Sequence, residues 1–249
     1  MLLCTVAIGF VSCQSENQDL NLTKTNYTLY SDATTKIEGS DLSNTVWDSD
    51  NEFVAVAEGD VLTSKLVGST TIKSGNSNIF VTVKPRYTLY KEPEMLWGCT
   101  KKQIIAKCGT PTSTSGDTVI YETGNYAAPY ELYLFENDRL TSCGVLVQLS
   151  YSSNLIDFIG ERYVIIAVEG ATATFVHCYG KISDPKFDYG GQLAYQSSLG
   201  GLLVGYVANS SNSSSSEVSV DLEQSRGAVQ TKVFDIATKA LLKSGITIK

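Results

Sequence analysis

The sequence contains a single histidine, and this scarcity argues against several kinds of catalytic or metal site. That residue, His177, is followed directly by Cys178. Adjacent side chains of a β-strand point to opposite faces, whereas a Cys–His nucleophile pair must approach a common reaction site to about 3 Å. The six cysteines also show no C-x₂-C or related zinc spacing. We therefore expect no catalytic residue, no metal site and no cofactor.

Other motifs that would identify an enzyme are missing too. The sequence has no G-x-S-x-G elbow, no P-loop and no dinucleotide fingerprint. Acidic residues are abundant, so a hydrolase with a carboxylate pair stays an alternative that sequence alone cannot place. Asp48, Asp50 and Asn51 crowd together as calcium ligands would, but the same residues suit a turn after a strand. We favour the turn.

An excess of basic charge is also lacking. The 19 basic and 26 acidic residues leave a net charge of -7, which repels phosphate backbones and argues against a nucleic-acid partner. A chain of 249 residues with 43% hydrophobic residues is long and apolar enough for two folded domains. Short runs rich in Val, Ile, Thr and Tyr, separated by Ser, Asn and Gly, predict a β-rich exported protein.

The N-terminal apolar run is too short to cross a membrane. Leu2 to Val11 is apolar apart from Thr5 and would reach about 15 Å as a helix, against about 30 Å of bilayer hydrocarbon. It has the length of a signal-peptide core, although a first strand or buried helix over residues 1–13 is an alternative. It ends in Phe10-Val11-Ser12-Cys13, which resembles a lipobox and implies cleavage before Cys13 and a lipid on that cysteine.

The polar residues after Cys13 suggest where such a lipoprotein would reside. Ser15 to Asp19 resemble the surface-export signals of Bacteroidota lipoproteins. Residues 1–20 are thus expected to be a signal peptide and tether. The resemblance implies an outer-membrane protein anchored by lipid at the cell surface, with the periplasmic face as the alternative.

Residues 21–85 show only strand and turn signals. Alternating apolar residues such as Ile79, Val81 and Val83 predict short strands of a small β-sandwich. The segments that begin at Trp47, Val54, Gly59, Gly68 and Val81 resemble the signature of group 2 bacterial immunoglobulin-like domains. The resemblance implies a spacer in a surface protein, with Trp47 in the core rather than in a binding site.

Residues 86–249 begin with a strong helix signal. Thr100 and Gln103 form a capping box, and Gly109 and Pro111 end the helix. Cys99 and Cys108 would then lie roughly 13 Å apart, too far for a disulfide, while pairing of Cys143 with Cys178 stays open. Three strands are predicted next, over 118–122, 131–136 and 140–150, with a hairpin turn at 137–139.

The segments 98–103, 109–111 and 133–140 resemble outer-membrane assembly lipoproteins of the BamE/SmpA type and β-lactamase inhibitory proteins. The resemblance implies a helical segment packed on an antiparallel sheet. A second unit of the same kind would make the module a tandem of two units. The second unit would have a helix over 154–162 capped by Ser153, with Leu155, Ile156, Phe158 and Ile159 on its packing face. Strands would follow over 163–168, 171–179, 192–197 and 202–208. A further strand over 217–222 and a C-terminal amphipathic helix over 229–241, packed on the module or binding a partner, complete the prediction.

Aromatic residues supply the best candidate for recognition. Tyr121, Tyr126, Tyr130 and Tyr133 could offer flat apolar faces with polar tips to a glycan or protein ligand, although strand tyrosines are more often packed in a core. The predicted fold class is mainly β with an α+β module. We expect a non-catalytic surface-exposed binding or adhesion lipoprotein, with an envelope assembly lipoprotein as the alternative.

Overall fold

The computed structural model describes residues 19–209 and 237–246, and it is mainly β. Two regions have separate hydrophobic cores. We call residues 19–85 the N-terminal domain, and residues 86–209 with 237–246 the C-terminal domain.

The N-terminal domain contains seven short strands in two sheets. They are β1 (Asn26–Tyr30), β2 (Thr34–Lys36), β3 (Asp48–Ser49), β4 (Ala55–Glu58), β5 (Val61–Ser64), β6 (Gly68–Ser74) and β7 (Ser77–Lys84). One sheet has the order β1-β7-β6-β3 and the other β2-β5-β4, and β1 pairs with β7 in parallel. In β7 the buried Ile79, Val81 and Val83 alternate with exposed residues, as the sequence predicts. Together with Leu62 from the other sheet they form the core of a β-sandwich.

The C-terminal domain is one eight-stranded sheet with three described α-helices and a short 3-10 helix over Leu149–Tyr151. Its elements are α1 (Lys101–Cys108), β8 (Ser113–Ser115), β9 (Thr118–Glu122), β10 (Tyr130–Glu136), β11 (Arg139–Gln148), α2 (Ser152–Gly160), β12 (Val164–Glu169), β13 (Thr172–Lys181), β14 (Asp184–Gln196), β15 (Gly201–Ala208) and α3 (237–243). The strand order is β12-β13-β14-β15-β11-β10-β9-β8. All neighbouring strands are antiparallel.

This order contains a repeat. A helix followed by four consecutive strands occurs first as α1 with β8 to β11 and again as α2 with β12 to β15. The last strands of the two units, β11 and β15, pair with each other at the centre of the sheet. The two halves of the domain thus share the same order of elements.

Helices cover the two faces of the sheet differently. The core on one face, here called the helix-side core, brings Ile104 of α1 and Phe158 of α2 together with Tyr133, Phe175 and Tyr206 of the strands. On the other face, Ala237 and Leu241 of α3 pack against strand residues including Ile120, Leu132, Leu146 and Leu203. The described part of the C-terminal helix, residues 237–243, therefore packs on the eight-stranded sheet. The central strands are buried on both faces.

Local signals placed α1 and one hairpin correctly. The Thr100 hydroxyl accepts from the Gln103 amide at 3.3 Å, and the Gln103 side chain accepts from the Thr100 amide at 2.8 Å. Gly109 follows the helix with a φ of 89°. Asn137 and Asp138, with φ values of 51° and 58°, form the tight turn between β10 and β11.

Two predicted elements need correction, and others lie outside the described residues. Ser153 does not cap α2, since the helix begins at Ser152 and its N-cap Tyr151 makes no side-chain capping bond. Ile156 is 57% exposed rather than packed. β14 starts at Asp184, well before the predicted 192. The predicted strand over 217–222, residues 229–236 of the predicted helix, and Cys13 fall outside the described ranges.

The two domains meet at a buried carboxylate. Glu161, directly after α2, accepts hydrogen bonds from the Ser31 hydroxyl at 3.0 Å and from the Arg86 and Tyr87 amides at 2.8 and 3.0 Å. The neighbouring Arg162 guanidinium lies 2.6 Å from the same carboxylate. Because hydrogen bonds and an opposite charge compensate its burial, Glu161 can join α2 to the N-terminal domain and to the connecting chain.

A second contact lies at the tip of the β13–β14 hairpin. The Lys181 ammonium contacts the Asp48 carboxylate and the Ser49 carbonyl, and it lies 3.7 Å from Glu52. The Glu52 amide donates to the Gly180 carbonyl at 2.8 Å. Two separate contacts thus fix the relative orientation of the domains.

Candidate functional site

The four tyrosines predicted as a binding surface do not lie together on the surface. Tyr121 and Tyr133 are buried in the helix-side core, where their rings meet edge to face at 5.9 Å. Tyr130 is half-buried against the core on the opposite face. Tyr126 alone is well exposed, at 74%. The expectation of one exposed aromatic surface is therefore corrected for Tyr121 and Tyr133.

Of the polar residues after Trp47, Asp48 lies in β3, and Asp50 and Asn51 follow it in the bend that leads to Phe53. Asp50 pairs with Lys73 at 2.8 Å, and Asp48 contacts Lys181. The Asn51 side chain accepts from the Phe53 amide at 3.2 Å, as in an Asx turn. Within residues 19–209 and 237–246, no three His, Cys, Asp or Glu side chains are placed to hold a metal ion.

None of the four cysteines of the described residues forms a disulfide. Cys143 does not pair with Cys178. Burial raises the pKa of the Cys99, Cys108 and Cys143 thiols above the usual value. Because the thiolate is the reactive form, these three residues are poorly suited to nucleophilic chemistry.

His177 is held by a carboxylate and an aromatic ring. Its Nδ1 lies 2.8 Å from Asp188 Oδ1, and its ring stacks on Tyr189 at 4.8 Å with an interplanar angle of 9°. His177 on β13 lies opposite Tyr189 on β14, and the next pair is Cys178 with Phe187. Asp188 is therefore the extra residue of a β-bulge. The bulge thus allows Asp188 to reach the imidazole beside it.

The pair belongs to a larger group that we call the aromatic cluster, comprising Trp97, Tyr163, His177 and Tyr189. The rings of Trp97 and Tyr189 are 6.2 Å apart, and the Tyr163 and Tyr189 hydroxyls are 3.4 Å apart. The Tyr163 hydroxyl also donates to the Glu92 carboxylate. Burial raises the pKa of Tyr163 and Tyr189, so both hydroxyls stay protonated at neutral pH.

The chemistry of this cluster suits recognition. It combines aromatic rings with neutral hydroxyl donors, an oriented imidazole and two carboxylates, Glu92 and Asp188. His177 and Asp188 remain partly exposed, so a ligand can reach this end of the cluster. Such groups can hold a polar ligand with an apolar face, or the side chains of a protein partner.

Sequence reasoning missed this cluster because it depends on register. His177 was considered only as a partner for a cysteine, and β14 was expected to begin beyond Asp188 and Tyr189. A prediction of β14 that included Asp188 and Tyr189 could have found the cluster, since Tyr189 lies opposite His177 in the sheet.

Comparisons with protein-family models, with curated proteins and with solved structures find no match. Within the described ranges, no helix is both long and apolar enough to cross a lipid bilayer.

Proposed function

We propose that this protein is a non-catalytic cell-envelope lipoprotein that binds a protein or glycan ligand. A lipid on Cys13 would anchor it in the outer membrane of a Bacteroidota-type cell, at the cell surface. The observation that carries the binding role is the partly exposed aromatic cluster with its oriented His177–Asp188 pair.

The fold supports a more specific assignment of the two domains. A seven-stranded sandwich with a parallel β1–β7 pair is compatible with a group 2 bacterial immunoglobulin-like domain. The repeated unit of a helix and four strands is compatible with a tandem module of the BamE/SmpA or β-lactamase inhibitory type. We propose both assignments.

The domain junction refines the spacer role. Glu161 and Lys181 tie the domains at two points, so the N-terminal domain would hold the C-terminal domain in one orientation rather than on a flexible stalk. A fixed orientation reduces the entropy that a binding site loses when it meets a ligand on a surface.

Substitution of Tyr189 tests the binding role. Tyr189→Ala removes the ring between His177 and Trp97, and we expect at least a tenfold loss of affinity for ligands found with a glycan array or an envelope extract. Tyr195→Ala is the matched control, because Tyr195 lies on the same strand, is exposed and belongs to no part of the cluster. Equal binding by both folded variants, checked by circular dichroism, would exclude the aromatic cluster as the site.

The anchor is tested separately. Radiolabelled palmitate should enter the wild-type protein and not Cys13→Ser. Protease treatment of intact cells should then remove the protein if it faces outward.

An assembly role is the second candidate, and an exposed apolar edge of the sheet favours it. Such a protein would dock other envelope proteins, and its survival in the protease treatment would place it on the periplasmic face. In the part of the chain that the structure describes, this edge is β12.

A further inference from the structure

β12 forms one end of the eight-stranded sheet. Among the described residues it pairs with β13 on one side only. A strand in this position presents unpaired N–H and C=O groups along its outer side, and these can pair with another chain.

The side chains of β12 do not protect this edge. Ile165, Ile166 and Val168 are 41%, 43% and 67% exposed. The strand reads Val-Ile-Ile-Ala-Val-Glu, without the Lys or Pro that usually blocks pairing at an edge. The opposite edge, β8, is a three-residue Ser-Thr-Ser strand too short to be a good template.

A β-bulge organises the exposed aliphatic residues. The pairing with β13 shifts between Ile165 and Ala167, which makes Ile166 the extra residue. Ile165 lies opposite Phe175, and Val168 lies opposite Ala173. Since Phe175 and Ala173 are two residues apart on one strand, Ile165 and Val168 share a face of the sheet.

We propose that β12 binds an extended aliphatic segment of a partner protein, which adds to the sheet as a ninth strand. A second copy of this chain fits less well, because a six-residue strand and three aliphatic side chains fall far short of the roughly 800 Å² per partner typical of stable interfaces. Strand addition needs less area, since main-chain hydrogen bonds supply much of the affinity. The exposed Glu169 at the end of β12 favours a basic residue opposite it.

The proposal rests on the protein being a binding protein but not on the aromatic cluster. The probe is a synthetic peptide of alternating Val and Thr with one terminal Lys, titrated into the full-length protein by calorimetry. A matched peptide with N-methyl groups on alternate amides cannot complete the hydrogen-bond ladder. We expect the first peptide to bind and the second to bind at least tenfold more weakly.

Two variants locate the binding. Val168→Lys should weaken peptide binding at least tenfold, because it places a charge in the apolar contact. The control is Val61→Lys, which makes the same change on β5 of the N-terminal domain, where Val61 is 41% exposed. This variant should bind the peptide like the wild type. Tyr189→Ala should leave peptide binding unchanged, which separates this site from the aromatic cluster.

Three results would overturn the proposal. One is equal binding of the N-methylated peptide, which would show contact without strand addition. Another is strong protection of the β12 amides from hydrogen exchange in the free protein, which would mean that the edge is already covered. The third is a dimer in light scattering that Val168→Lys abolishes, which would make a second copy the occupant.

Discussion

Glu131 shows how burial affects a single carboxyl group. It lies on β10 and accepts a hydrogen bond from the Tyr133 hydroxyl, and its burial raises its pKa above the usual value. A raised pKa means that the folded state prefers the protonated form. The stability contributed by this group is therefore present below the unfolded-state pKa of about 4.3, and it is lost as the pH rises through the raised value.

Glu131→Gln should therefore be tolerated. The amide oxygen can still accept from Tyr133, and the desolvated charge is gone. We expect the free energy of unfolding at pH 7 to stay equal or to rise by up to about 1 kcal/mol, with the gain over wild type disappearing near pH 4.

Urea denaturation at pH 7, 5 and 4 measures this effect. Glu122→Gln, an exposed glutamate on the neighbouring β9, is the control and should track the wild type at each pH. A constant loss of stability in Glu131→Gln at every pH would show that the hydrogen-bond geometry, and not the charge, determines the energy.

Among the strands and helices, β14 depends on a glycine. Gly191 lies opposite Phe175, whose ring covers it, and a Cβ at this position would come 2.5 Å from the Gly205 carbonyl oxygen. Since that oxygen belongs to the backbone of β15, the clash cannot be relieved by a side-chain rotation. The bare backbone at Gly191 thus allows Phe175 to pack in the helix-side core.

Gly191→Ala should lower the free energy of unfolding by about 2–3 kcal/mol, as overpacking of a core does. Gly160→Ala is the control, because Gly160 lies in α2 with no atom near its Cβ position. There alanine should be neutral or stabilise by up to about 1 kcal/mol. Chemical denaturation compares the two, and similar stabilities would contradict the role given to Gly191.

Elements with local signals could be predicted, and elements defined by distant contacts could not. The capping box of Thr100 fixed the start of α1, and the strand over 118–122 was placed correctly. β14 was shortened because Pro185 and the glycines 190 and 191 look like loop residues in the sequence, although they lie in the strand. Tyr133 was misplaced for a related reason. β10 is covered on both faces of the sheet, so buried and exposed residues do not alternate along it. Sequence periodicity therefore cannot tell which face of the sheet a side chain of β10 occupies.

At the scale of the whole molecule, the docking of the N-terminal and C-terminal domains could not be predicted from the sequence. Alternating strands up to Val83 and the helix signal at Thr100 separate the N-terminal and C-terminal domains in the sequence. The hydrogen bond from Ser31 to Glu161 joins residues 130 positions apart, and no local sequence pattern predicts it.

The docking itself can be tested with a double variant. Glu161→Gln with Lys181→Ala weakens both contacts between the domains, and we expect a larger radius of gyration in small-angle X-ray scattering and two resolved transitions in calorimetry. The control is Glu38→Gln with Lys24→Ala, an exposed ion pair within the N-terminal domain. Its transitions and radius of gyration should match the wild type, and the same result for the first pair would show that the domains dock by other contacts.

The pairing of β11 with β15 at the centre of the sheet has a consequence for how the chain matures. The first unit leaves the ribosome or translocon with β11 complete, yet the strand that must lie beside it is made only after all of α2, β12, β13 and β14. Until then the N–H and C=O groups along its outer edge have no partner strand, so fragments that end near residue 151 should aggregate or exchange strands rather than fold. We therefore expect neither half of the sheet to fold by itself.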